Sequence, residues 1–177
     1  MALQKNLFFV VFCILFSFLA ASTALAKKSV YGYLEPVTLY PGGISVTAKL
    51  DTGADTASLS ATDIHTYEKD GEDYVTFTVS HPEIKKTLDY DLPLIRHMKI
   101  KGRATDDSNA KKPHLRPVVG IQIYFDGKPH IINFNLIDRS HFSTPILLGR
   151  KALAKLSVIV DGSARNTILK NKSKKRS

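Results

Sequence analysis

Cysteine is nearly missing from this chain: among 177 residues there is one, Cys13. That excludes a small fold stapled by disulfides, and thiolate chemistry in the body of the protein. Tryptophan is missing altogether, and no stretch interleaves basic with aromatic residues. A nucleic-acid partner is therefore not expected. No Gly-x-x-x-x-Gly-Lys loop is present to cradle phosphates, and no His-Glu-x-x-His to hold zinc. His65, His81, His97, His114, His130 and His141 stand singly, without ligand spacing. Neither a metal nor a cofactor is expected. No segment repeats at a fixed period, so the chain is not an array. Acid is short relative to base, 16 Asp and Glu against 25 Lys and Arg, for a net charge of +9. Such a surface suits an acidic substrate or an anionic envelope.

The residues present begin with a leader. Met1 to Ala26 has the layout of a secretory signal peptide: Lys5, an uncharged apolar run from Leu7 to Ala20, and Ala24-Leu25-Ala26 as a small-x-small cleavage site. The apolar run has 14 residues, short of the roughly 20 that span a bilayer. Cleavage before Lys27 is expected, and with it contact with a membrane only through the leader. Phe12, where a lipoprotein signal has a small residue, argues against lipidation of Cys13. The expected location is the periplasm or cell envelope of a bacterium. The mature chain keeps a charge of +8 and has the length of one domain with a real core. That domain is read over residues 27–170, with 171–177 as a basic, disordered tail.

Most of the mature chain reads as short strands with turn punctuation. Asp70-Gly71 precedes the alternating run Tyr74 to Ser80, and Asp126-Gly127 separates Val118–Phe125 from His130–Ile137. Asp-Gly between alternating runs predicts a hairpin. Further strands are expected over Val30–Leu34, Lys86–Leu92, Arg96–Lys101, Pro145–Leu148 and Val158–Val160. One helix is expected, over Arg150–Leu156 after Gly149. The polar, basic segment Lys101 to Pro117 reads as a long mobile loop. Many short strands with one helix predict an all-β barrel or sandwich.

The chemistry concentrates in ISVTAKLDTGADTASLSA, Ile44 to Ala61. An alternating strand ends on an acid, Asp51, followed by Thr52, Gly53 and Ala54. An Asp before a turn is commonly an Asx-turn or a cap. A second segment changes the weight of the first: Pro145-Ile146-Leu147-Leu148-Gly149-Arg150, then a helix. Together they resemble the aspartic peptidases of the retropepsin type. Tyr31-Gly32, Arg116-Pro-Val-Val and ILLGRKAL resemble more closely a bacterial subgroup of single-domain proteins labelled ATP-dependent zinc proteases and now viewed as retropepsin-like. The resemblance covers most of Tyr31 to Leu169.

The resemblance implies an all-β, closed retropepsin-like barrel with one short C-terminal helix. It implies catalysis by Asp51 with Thr52 and Gly53, structural support from Asp55, Gly149 and Arg150, and substrate contacts from Ala54, Arg96 and Arg116. Asp55 and Arg150 would form a bidentate ion pair bracing the loop, and breaking a buried pair of this kind costs on the order of 3–5 kcal/mol. Two departures stand out. Many members of the subgroup carry a basic residue where this chain has Asp55. The interval from Asp51 to Gly149 is also longer than in the viral enzymes, so the flap cannot be placed by counting. Asp161-Gly162 and Asp126-Gly127 lack the hydroxyl residue, so the chain holds one Asp-Thr-Gly. A homodimer that pairs two Asp51 carboxylates is therefore implied. Some relatives are associated with glutamate-ligating enzymes, which implies acidic peptide substrates. Arg96, Lys99, Lys101, Arg103, Lys111, Lys112 and Arg116 would suit them. Two other classes stay open: a catalytically silent binding module with the peptidase fold, and a metal-dependent hydrolase.

Overall fold

The computed structural model describes residues 28–100 and 114–174. The leader with Cys13, most of the loop expected over 101–117, and the basic residues Lys101, Arg103, Lys111 and Lys112 lie outside the described residues. In order come β1 (Ser29–Gly32), β2 (Leu34–Leu39), β3 (Ile44–Leu50), β4 (Ala57–Lys69), β5 (Glu72–Val79), β6 (Leu88–Pro93), β7 (Arg96–Ile100), β8 (His114–Phe125), β9 (Lys128–Ile137), β10 (Ile146–Leu148), α1 (Arg150–Lys155), β11 (Val158–Asp161) and α2 (Thr167–Lys174).

Period-two alternation sets which face of each strand turns inward. Val46, Ala48 and Leu50 of β3 are buried, as are Val75, Phe77 and Val79 of β5. Six strands close on themselves in the order β10-β3-β2-β8-β9-β4, with β4 returning to β10. The result is the expected closed barrel, all-β in its body. Leu39, Leu59, Ile121, Phe134, Ile146 and Leu148 fill its interior, each less than 2% exposed. Both Asp-Gly pairs make the expected hairpins. Asp70 and Gly71 have φ of 53° and 80°, and Asp126 and Gly127 have 47° and 78°. Positive φ at both central residues matches the right-handed twist of the flanking strands.

β4 leaves the barrel partway along. Ala57 to Ala61 are buried, whereas Asp63 to Thr66 are exposed. A register shift between Thr62 and His65, with Asp63 at φ 52°, marks the change. Beyond it β4 pairs with β5, and β5 with β6. β7 pairs with the first half of β8, Arg96 opposite Val118 and Ile100 opposite His114.

The expectation of one helix needs correction. The C-terminal helix α2 begins at Thr167 and continues through 171–174, so the boundary drawn at residue 170 cuts an element. Ile168 buries its side chain in the core. Glu35, itself fully buried, accepts hydrogen bonds from the N–H groups of Thr167 (2.8 Å) and Ile168 (3.1 Å) and from the Thr167 hydroxyl (2.6 Å). A carboxylate on the first N–H groups of a helix satisfies donors that have no partner within it and complements the helix dipole. The N–H of Gly32 is a further donor to Glu35, at 2.8 Å.

Candidate active site

β3 and β4 are consecutive, yet they do not pair with each other. β10 lies between them, parallel to β3 (Leu147 opposite Lys49) and antiparallel to β4 (Leu147 opposite Ser58). The turn from Asp51 to Thr56 must therefore bridge two strand spacings, about 10 Å. The end of β10 holds that turn through its backbone. The N–H of Asp51 donates to Leu148 O (2.9 Å), that of Arg150 to Ala54 O (2.8 Å), and that of Lys151 to Asp55 O (3.1 Å). The fit depends on Gly149. A Cβ there would lie 2.5 Å from Thr56 O and 2.8 Å from Ala54 O, both backbone atoms.

Asp51 is half-buried. Its Oδ1 accepts from the Gly53 N–H at 2.9 Å, and its Oδ2 lies 3.3 Å from the Lys49 Nζ. Burial pushes its carboxyl up, but the Gly53 N–H and the Lys49 ammonium outweigh that and hold it below the usual carboxylate range. Thr52 and Gly53 are exposed at the tip of the turn.

Asp55 and Arg150 do meet, but not as a buried bidentate pair. Arg150 Nη2 reaches Asp55 Oδ1 once, at 3.5 Å, and both side chains are more than half exposed. Lys151 is the closer partner, its Nζ 2.8 Å from Asp55 Oδ2. The large penalty for breaking a buried pair does not apply here. Arg150 instead braces the loop by donating from Nη1 to Thr52 O (3.2 Å) and Gly53 O (3.0 Å). Asp51, Thr52, Gly53, Ala54, Asp55, Gly149 and Arg150 thus form one unit.

Arg116 approaches this unit from β8. Its Nη1 donates to Asn135 Oδ1 at 3.3 Å, and Asn135 donates from Nδ2 to Thr56 Oγ1 (3.4 Å) and Ala57 O. The Nε of Arg116 is buried with no hydrogen-bond partner among the described residues. Arg96 stands apart: it lines a cavity beyond Thr56, with Met98 and Lys151.

Sequence reading passed over Arg139, which is 5% exposed. It donates from Nε to Thr144 O (3.2 Å) and from Nη1 to Ser58 Oγ (2.9 Å), and its guanidinium lies 4.4 Å over the Phe142 ring. Its backbone N–H donates to Ser60 Oγ at 3.1 Å. Burial and then the neighbouring Arg116 lower its basicity, while the Asp51 carboxylate acts in the opposite sense. His81 pins the same loop. Its Nε2 lies 3.1 Å from Phe142 O, and its Nδ1 accepts from the Glu83 N–H at 3.2 Å. Lys49 had a usable signal, since it lies near the end of β3, two residues before Asp51, a spacing that puts both on one face of extended backbone. Arg139 had none, because its partners are a carbonyl and hydroxyls scattered along the chain.

Among the described residues, no three His, Cys, Asp or Glu side chains gather as a metal site would require.

Comparison with known proteins places the chain in a family. A family model described as RimB-like, retropepsin-like aspartic endopeptidase RimB, matches residues 30–171. That description names neither ATP nor zinc. A probable alpha-L-glutamate ligase from Desulfotalea psychrophila (strain LSv54 / DSM 12343) is 28% identical over 118 residues, 65% of this chain and 24% of that protein. The chain thus spans about a quarter of that relative's length. Among solved structures, a protein of unknown function from Legionella pneumophila subsp. pneumophila str. Philadelphia 1 has a TM-score of 0.68 and 34% identity, over 80% of this chain and 99% of that one. EIAV protease complexed with the inhibitor HBY-793 has a TM-score of 0.40 and 14% identity, over 80% and 99% of the two chains. The chain belongs to the RimB-like family of retropepsin-like aspartic endopeptidases.

Proposed function

We propose that this chain is an exported aspartic endopeptidase that completes its catalytic dyad with a second copy of itself. The observation that carries the proposal is Asp51: a partly exposed carboxylate at the start of a backbone-locked turn, in an Asp-Thr-Gly present once per chain. Two such carboxylates meeting across a two-fold axis share one proton, because two like charges so close do not both ionise. The ionised member takes a proton from a water, which attacks the scissile carbonyl carbon. The protonated member hydrogen-bonds the carbonyl oxygen. A proton then passes to the leaving amine as the C–N bond breaks. The pair titrates as a unit, so its two apparent pKa values belong to neither residue alone. The exposed Thr52-Gly53 tip leaves room for the partner loop. Periplasm or cell envelope is the proposed location, resting on the leader, and N-terminal sequencing of secreted protein should start at Lys27.

For substrate we favour acidic peptides. Among the described residues, Arg116 has no carboxylate within ion-pair distance, although it approaches the Asp51 turn through Asn135 and Thr56. A side-chain carboxylate of the substrate would supply the missing partner. The glutamate-ligase name of one relative points the same way. Cleavage profiling on a peptide library tests the whole reading. Wild type should cut acidic sequences, with chelators present or absent, and Asp51→Asn should remove activity while leaving the melting temperature nearly unchanged. Retained activity in that variant contradicts the assignment.

One observation favours a second reading, a binding module without turnover. The Lys49 ammonium on Asp51 Oδ2 stabilises the ionised form and so opposes sharing of a proton. A transition-state-mimicking peptidase inhibitor separates the two readings, since tight binding requires an assembled dyad.

A further inference from the structure

Two cavities share one wall residue, Lys155 of α1. One, of about 500 Å³, lies between Thr56, Arg96, Asn133, Lys151 and Lys155, over a floor that includes Met98 and Ile132. The other, of about 410 Å³, lies between Tyr31, Asp126, Lys128, His130 and Lys155. Lys155 lines both, and β9 runs beneath both, through Asn133 in the first and His130 in the second. Side by side at Lys155, the two set out a trough that reaches from Thr56, at the far end of the Asp51 turn, to the β8–β9 hairpin.

Cations outnumber acids along the trough. Arg96, Lys151, Lys155, His130 and Lys128 line it. The acids nearby are already engaged: Asp55 with Lys151 at 2.8 Å, and Asp126 with the Tyr31 hydroxyl at 3.1 Å. Among the described residues, Arg96, Lys128 and Lys155 have no ion-pair partner. Burial, and then Lys128 and Lys155, hold His130 below its usual basicity. Cations crowded along a trough leave an unfavourable potential that an anion relieves. The floor is apolar at Met98 and Ile132. That combination matches carboxylates carried on aliphatic stems along an extended backbone.

We propose that this trough is an exosite for an acidic peptide segment, outside the Asp51 turn and leading away from it. Successive carboxylates of the segment would meet Arg96, Lys155 and then Lys128 with His130. Its role in holding substrate beside the dyad rests on the peptidase reading; the binding itself does not.

The test uses full-length Asp51→Asn protein, so that the probe survives whether or not the wild type turns over. The probe is a fluorescein-labelled decapeptide rich in glutamate, followed by anisotropy, with a glutamine-for-glutamate peptide as control. The acidic probe should bind, and more weakly as salt rises, because the contacts are exposed and screened. Adding Lys128→Ser and Lys155→Ser together should weaken it about tenfold, a loss of about 1.4 kcal/mol shared by two exposed charge contacts. Both side chains are exposed, so the melting temperature should hold. Equal affinity for the glutamine peptide, unchanged affinity in the double variant, or no binding at low salt each overturns the exosite. Binding with no wild-type turnover would instead count against the peptidase reading alone.

Discussion

Two loops border the candidate site, and they are held in different proportions by backbone and by side chains. The Asp51 turn is held by backbone: the N–H groups of Asp51, Arg150 and Lys151 and the carbonyls of Leu148, Ala54 and Asp55, with Arg150 reaching two more carbonyls. The loop from Asp138 to Pro145 is held largely by side chains: Arg139 on Ser58 and Thr144, Ser60 on the Arg139 N–H, and His81 on Phe142, with backbone bonds only from the Phe142 N–H to Arg139 O and from the Ser60 N–H to Pro145 O among the described residues. Backbone holding demands particular residues at particular places, above all a glycine where a Cβ has no room. Side-chain holding can be met by many combinations. The first loop can therefore be tight with an exposed tip, while the second needs buried polar groups to be fixed at all.

The sharpest way to break this comparison is at Gly149. Gly149→Ala sets a Cβ against two backbone oxygens that cannot move independently, and should cost about 3 kcal/mol, the upper part of the range for overpacking. Denaturant unfolding measures it, and activity should fall with it. If stability is unchanged, the turn is not locked as described. Arg139→Ala should cost about 2 kcal/mol by removing a buried donor from Ser58 and the Thr144 carbonyl. Arg139→Lys should recover only part, because an ammonium does not reproduce the guanidinium fork. A full recovery would show that charge alone matters in that loop.

Lys49→Met should have a smaller and directional effect. Lys49 lowers the pKa of Asp51, so ionisation of the dyad reaches to lower pH with it than without it. Removing it should move the acid limb of the pH–activity profile to higher pH. A limb that stays in place would show that the ammonium does not act on the working carboxylate. The smallest effect is expected at Asp55. Its contacts to Lys151 and Arg150 are exposed, so Asp55→Asn should leave the melting temperature nearly where it is, least of all changed at high salt.

The same contrast explains what the sequence made legible. Asp-Gly turns, the alternation of β3 and the Leu-Leu-Gly-Arg segment all express backbone requirements, and each was readable. α2 was not, because its cap is Glu35, 132 residues upstream of Thr167. Its own composition looks like a solvated tail. Arg139 was not readable either, since no acid marks its place. The Asp55–Arg150 pair was readable as a contact but not in strength. Exposure decides its strength, and exposure follows from how Lys151 and Arg150 emerge from the start of α1.

The central claim is that one working site needs two chains. Calorimetric titration with a transition-state-mimicking peptidase inhibitor tests it most directly. The account predicts one inhibitor bound per two chains, and none for Asp51→Asn. One inhibitor per chain, or tight binding that survives Asp51→Asn, would contradict it.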